Sequence, residues 1–95
     1  MPYVMIRHKV ASYAKWKRGV LDFKKSRKES GEKSFYVCRS SENPNDLLVW
    51  CEWDTAARMK KFVKSVELRK AMKEVGVTSK PEICFYAKMD DLSVG

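Results

Sequence analysis

Four runs of strand-forming residues and two runs with helical periodicity alternate along this chain in the order strand, helix, strand, strand, helix, strand, which leaves few folds open. Residues 3–10 (Tyr-Val-Met-Ile-Arg-His-Lys-Val) alternate, with Val4, Ile6, His8 and Val10 on one side and Tyr3, Met5, Arg7 and Lys9 on the other, so the first run is a strand. Ser12 then stands as an N-cap before Tyr13, Trp16, Val20, Phe23 and Arg27, whose spacing lines one face of a helix over about 12–30 that ends at Gly31. Residues 34–39 (Ser-Phe-Tyr-Val-Cys-Arg) form the second strand. The turn-forming stretch 40–46 (Ser-Ser-Glu-Asn-Pro-Asn-Asp) returns the chain antiparallel into the third strand, 47–53 (Leu-Leu-Val-Trp-Cys-Glu-Trp).

Asp54 is placed to cap a second helical run. Its apolar positions, Met59, Phe62, Val63 and Val66, are followed out of rhythm by Leu68, Ala71, Met72 and Val75, which predicts a bend or restart near Ser65 and an end at Gly76. After Lys80-Pro81 the last strand covers 82–89, and 90–95 is a polar tail. The order predicts an α+β, ferredoxin-like βαββαβ fold: a four-stranded antiparallel sheet with two helices on one face. The 95 residues suit one domain. In a sheet covered on one side the strands should alternate apolar with polar, yet Phe35/Tyr36, Val49/Trp50 and Phe85/Tyr86 place large side chains on both faces. The economical cover for the second face is another copy of the chain, giving a homodimer packed sheet to sheet.

Composition narrows the partners. The chain is 44% apolar and 34% charged, which is globular rather than disordered. Its net charge of +8 is uneven: segment 12–33 has eight basic and three acidic residues, segment 54–76 seven and three, and everything else five and six. The excess therefore belongs to the helices and is expected to be a solvated outer coat. RNA-recognition motifs share the same element order, but their third strand carries glycines, a basic residue and spaced aromatics, whereas residues 45–53 here read Asn-Asp-Leu-Leu-Val-Trp-Cys-Glu-Trp, so no nucleic-acid partner is expected. No run reaches the length of a membrane span, and Met1–Val4 lacks the layout of a signal peptide, so a cytoplasmic protein is expected with no membrane partner. Cys38, Cys51 and Cys84 are odd in number and widely spaced in apolar runs, which fits free thiols rather than disulfides or a metal site.

His8 is the only histidine and sits on the apolar side of the first strand, a position for a general base or hydrogen-bonding anchor between sheet and helices. One His without clustered Cys, Asp or Glu does not suit a metal site. Glu52 lies inside an apolar strand, and its expected partner is His8, Arg7 or Arg39; with His8 it would form a base and its orienting carboxylate. Trp16, Trp50 and Trp53 are candidates to line an aromatic cavity. There is no nucleophile elbow, P-loop or dinucleotide-binding glycine pattern.

The first strand ending Arg7-His8-Lys9-Val10, the third ending Glu52-Trp53-Asp54, and the helix Ser65-Val-Glu-Leu-Arg-Lys-Ala-Met-Lys-Glu-Val-Gly-Val77 resemble the antibiotic biosynthesis monooxygenase family of dimeric α/β-barrel proteins, over residues 3–89. That resemblance implies a homodimer whose two sheets form a barrel, with a pocket between sheet and helices in each subunit. It also implies an oxygenase using no metal or flavin, which deprotonates a small aromatic, quinol or polyketide-like substrate so that the anion reacts with dioxygen. The site it implies has His8 as base, Glu52 as its orienter, and Trp16, Trp53, Phe62 and Met72 as pocket lining. A non-catalytic, ligand-binding or stress-associated dimer with the same cavity is the competing expectation. Haem-degrading members of the wider superfamily carry an Asn, a Trp and an iron-ligating His where this chain has Ile6, Phe62 and Met72, so no haem is expected.

Overall fold

The computed structural model describes residues 2–95, and Met1 of the N-terminal stretch lies outside them. The chain runs β1 (Pro2–Lys9), α1 (Tyr13–Asp22), α2 (Lys24–Glu29), β2 (Glu32–Arg39), β3 (Asp46–Trp53), α3 (Ala56–Val63), α4 (Val66–Glu74) and β4 (Glu82–Ala87). The strands form one antiparallel sheet in the order β2-β3-β1-β4, the ferredoxin-like arrangement.

Side-chain hydroxyls start three of the four helices. Ser12, Thr55 and Ser65 each stand in extended backbone and accept the N–H three residues on, from Lys15, Arg58 and Leu68 at 3.2–3.3 Å. The restart expected at Ser65 is thus present. The cap expected at Asp54 is not: Thr55 takes that role, while Asp54 accepts the Thr55 N–H and pairs with Arg58. The single helix expected over 12–30 is likewise two. Phe23, at φ −89° and ψ 3°, loosens the turn between α1 and α2 while its N–H still reaches the Gly19 carbonyl at 3.1 Å. Beyond that turn the Arg27 guanidinium folds back to donate to the Val20 carbonyl at 3.0 Å.

Register decides which side chains are inside. Val4, Ile6 and His8 of β1 lie opposite Cys51, Val49 and Leu47 of β3, and all face the helices. Trp16, Met59 and Val63 pack down on them. Burial of each such large side chain contributes about 1.5–3 kcal/mol, and this is what holds the helices to the sheet. The opposite face is open: Tyr36 is 56%, Trp50 37% and Tyr86 54% exposed. Cover is also incomplete at the β4 edge, where Ile83 and Phe85 share the helix-side face with Ile6 and Val4 yet remain exposed.

Close approach of α1 to the end of α4 requires a glycine. A Cβ on Gly19 would stand 2.0 Å from Val75 Cγ1. Gly19→Ala should therefore destabilise the fold by about 1–3 kcal/mol, each kcal/mol lowering Tm by about 4–8 °C in a chain of this size. Adding Val75→Ala should recover part of that loss in the same thermal melt, because it vacates the contested space.

Candidate functional site

Between sheet and helices lies a small apolar cavity of about 80 Å³ that opens to solvent at its mouth. Its floor is Val4, Ile6, Val49 and Cys51, and its walls come from all four helices. Trp16, Trp53, Phe62 and Met72, the four lining residues expected from the sequence, all border it, and so does His8. Two aromatic groups frame it. Trp16 lies 5.7 Å from the His8 ring and 6.2 Å from Phe35, while Trp53 lies 5.2 Å from Phe62, which in turn is 5.9 Å from Phe23. The Trp53 indole N–H donates to the Ser30 carbonyl at 2.9 Å, which fixes the ring while its face packs inward. Trp50 does not belong to this set, because it stands on the open face of the sheet.

His8 is 4% exposed and neither ring nitrogen has a hydrogen-bond partner. Burial pushes its pKa below the usual histidine value, with the Asp46 carboxylate pulling weakly the other way. The ring is therefore neutral at pH 7. It keeps one lone pair and one N–H unspent beside an apolar cavity, an arrangement able to accept a proton from, or hydrogen-bond to, a molecule held there.

Glu52 is not its partner. Within β3 the residues at Leu47, Val49, Cys51 and Trp53 face the helices, so Glu52 faces away, and Leu47 rather than Glu52 lies opposite His8. Glu52 accepts the Tyr3 hydroxyl at 2.8 Å on the open face, which raises the Tyr3 pKa. Of its expected cationic partners, Arg7 pairs instead with Asp46 at 2.9 Å and lowers the Asp46 pKa, and Arg39 lies over the Tyr13 ring.

The charged pair that does border the cavity was not foreseen as such. Arg27 donates to Glu32 at 2.5 Å, both side chains being about nine-tenths buried, and the guanidinium stacks 4.6 Å from the Phe35 ring centroid. Arg27 had been legible as the last inward position of the first helical run, but Glu32 sits at the start of β2 ahead of the alternation and carried no signal. Desolvation raises the Glu32 pKa, and the Arg27 charge opposes that. In register Glu32 is level with Trp53 and His8 with Leu47, so about 20 Å of strand separates the two polar ends. Buried Cys51 lies between, its thiol pushed up by burial and so held protonated. Among the described residues no three His, Cys, Asp or Glu side chains gather where they could hold a metal ion, and no helix is long and apolar enough to cross a membrane.

The cavity thus lies between a four-stranded antiparallel sheet and its helices, with His8 of the first strand at its border. A family model for antibiotic biosynthesis monooxygenases matches residues 4–74, and the chain is a member of that family. No curated protein matches it. Among solved structures, a protein of Bordetella bronchiseptica assigned to the antibiotic biosynthesis monooxygenases aligns with a TM-score of 0.75 at 19% identity, over 93% of this chain and 96% of that one. One of Deinococcus radiodurans with the same assignment aligns at 0.70 and 18%, over 100% and 99%. SnoaB of Streptomyces nogalater, a cofactor-independent oxygenase, aligns at 0.75 and 10%, over 96% and 95%. At these identities the likeness is one of fold.

Two stability measurements follow from the buried charges. Glu32→Ala leaves a buried guanidinium uncompensated and should cost about 3–5 kcal/mol, whereas Arg27→Met with Glu32→Leu should cost much less in the same denaturant titration. For His8 the folded pKa lies below the unfolded one, so the unfolded chain binds the extra proton. The His8 contribution is then fully present above about pH 6.5 and is lost as pH falls through and below it. The difference in unfolding free energy between wild type and His8→Gln should accordingly slope only on the acid side of pH 6.5.

Proposed function

We propose that the chain is a homodimeric, cofactor-independent monooxygenase in which His8 deprotonates an electron-rich phenol, hydroquinone or polyketide-like molecule held between sheet and helices. The observation that carries this reading is a neutral, unpartnered imidazole, almost wholly buried, at the edge of an aromatic-lined apolar cavity. Burying an unpaired imidazole costs stability, which is readily understood if a ligand completes its hydrogen bonding.

In such a reaction the substrate O–H or acidic C–H points at the free ring nitrogen of His8, which takes the proton. The imidazolium and the substrate anion then form an ion pair away from water, where their attraction is strongest, with the Asp46 charge favouring the protonated ring. The substrate anion supplies the electrons that reduce dioxygen. One oxygen atom stays on the substrate as a new carbonyl, and the other leaves as water with two substrate hydrogens, one of them returned by His8. Trp16, Trp53, Phe62 and Met72 serve to hold the rings and exclude water. Glu52 has no part in this step, because it stands on the other face of the sheet.

The second copy covers the open face, where Tyr3, Tyr36, Trp50 and Tyr86 stand ready for apolar contact and the Tyr36 and Trp50 rings already lie 5.6 Å apart. Light scattering at micromolar concentration should give twice the chain mass, and Trp50→Arg should shift it toward the monomer. Oxygen uptake with a panel of hydroquinones should be seen in wild type and fall at least about a hundredfold in His8→Ala. Its kcat/KM should be level at neutral pH and fall on the acid side of pH 6.5, as His8 takes up a proton. Ligand-induced thermal stabilisation without turnover of any substrate would favour a binding protein instead.

A further inference from the structure

On the helix side of the β4 edge a groove runs between α4 and β4, floored by the apolar side chains of Ile83, Phe85 and Val77. It adjoins the cavity, since Val63, Leu68 and Met72 line both and stand as the partition between them. Methionine is unbranched and readily changes rotamer, so Met72 is a yielding part of that partition. The rim is one-signed: Lys64, Arg69, Lys73 and Lys80 line the groove, Lys60 Nζ lies 5.6 Å from the Phe85 ring centroid, and no carboxylate is among the residues lining it. The nearby acids point elsewhere: Glu82 lies opposite Arg7 on the other face, and Glu67 lines a separate recess beside Phe23. The groove lies on the helix side, away from the sheet face assigned above to the second copy.

Building on the monooxygenase reading, we propose that this groove is a subsite for the anionic end of the ligand, and that the substrate class is an aromatic carboxylate whose rings enter the cavity while its carboxylate stays among Lys64, Arg69, Lys73 and Lys80. The charge complementarity is local. The cavity offers its ligand one neutral imidazole, one unpartnered Arg27 Nε–H and an Arg27–Glu32 pair whose charges offset each other, whereas the groove beside it has cations and no carboxylate among its lining residues. Apolar floor and cationic rim together suit an amphiphilic anion better than a fully hydrated one.

Two fluorescent probes with the same rings test this: 8-anilinonaphthalene-1-sulfonate, which is anionic, and N-phenyl-1-naphthylamine, which is neutral. The full-length protein should bind the anionic probe about tenfold more tightly at low salt, and the preference should shrink as salt is added. Replacing the groove set (Lys64→Gln, Arg69→Gln, Lys73→Gln, Lys80→Gln) should abolish that preference and leave binding of the neutral probe unchanged, which also reports an intact cavity. A control with the same change in net charge on exposed outer positions (Lys15→Gln, Lys17→Gln, Lys24→Gln, Lys25→Gln) should keep the preference. Equal affinity for the two probes in wild type, or an equal loss in both variants, would overturn the proposal. Oxygen uptake plays no part in this readout. A protein that turns over no hydroquinone yet keeps the groove-dependent preference loses the oxygenase reading alone, and one that oxidises neutral hydroquinones with no such preference loses only this subsite.

Discussion

Everything in this structure hangs on the burial of one face of two central strands. Val4, Ile6 and His8 on β1 and Leu47, Val49, Cys51 and Trp53 on β3 form a continuous strip, and the helices have nowhere else to place Trp16, Met59 and Val63. A slip of one residue in the β1–β3 register would exchange this strip for Arg7, Glu52 and their neighbours, so the cost of burying those charges fixes the pairing. Because the strip is fixed, so is the position of the single histidine. It enters the cavity as a member of the core rather than as an addition to it.

The two polar features that reach the interior are handled in opposite ways. Arg27 and Glu32 offset each other's charge, with Phe35 beneath the guanidinium and the Val20 carbonyl taking a further donor, and only the Arg27 Nε–H is left without a partner. His8 has no such pairing. Both of its nitrogens are buried beside the apolar cavity with no protein partner, a cost of about 1–3 kcal/mol. The binding or catalytic use proposed for that ring would lie at the Leu47 end of the cavity rather than at the Arg27–Glu32 end.

Much of this was legible because alternation and helical spacing report which side of an element faces inward. His8, Trp16, Phe62 and Met72 all fell on faces that the spacing marked as inner, and all border the cavity, as does Trp53. Glu52 was misplaced because an apolar run with large residues on both faces hides its parity: Leu48, Trp50 and Glu52 share the open face with an apolar majority, so the carboxylate looked buried. Glu32 was missed for the converse reason. It precedes the regular part of β2 across a register shift, and only the fold brings Arg27 back beneath it. The break at Phe23 left no trace either, since Phe23 and Arg27 keep a helical spacing across it.

The sequence by itself determined the order of elements, the antiparallel sheet, the inner face of the first strand and the concentration of positive charge on the helices. These follow from local periodicity and turn chemistry, which need no distant partner to be expressed. Tertiary structure alone decided which groups meet. It sent Glu52 to Tyr3 instead of His8, joined Arg27 to Glu32, left the histidine unpartnered beside a cavity, and opened a cationic groove at the β4 edge. Contacts of this kind depend on strand register and on how far each helix stands off the sheet, and both are set by the packing of the whole core rather than by any one segment.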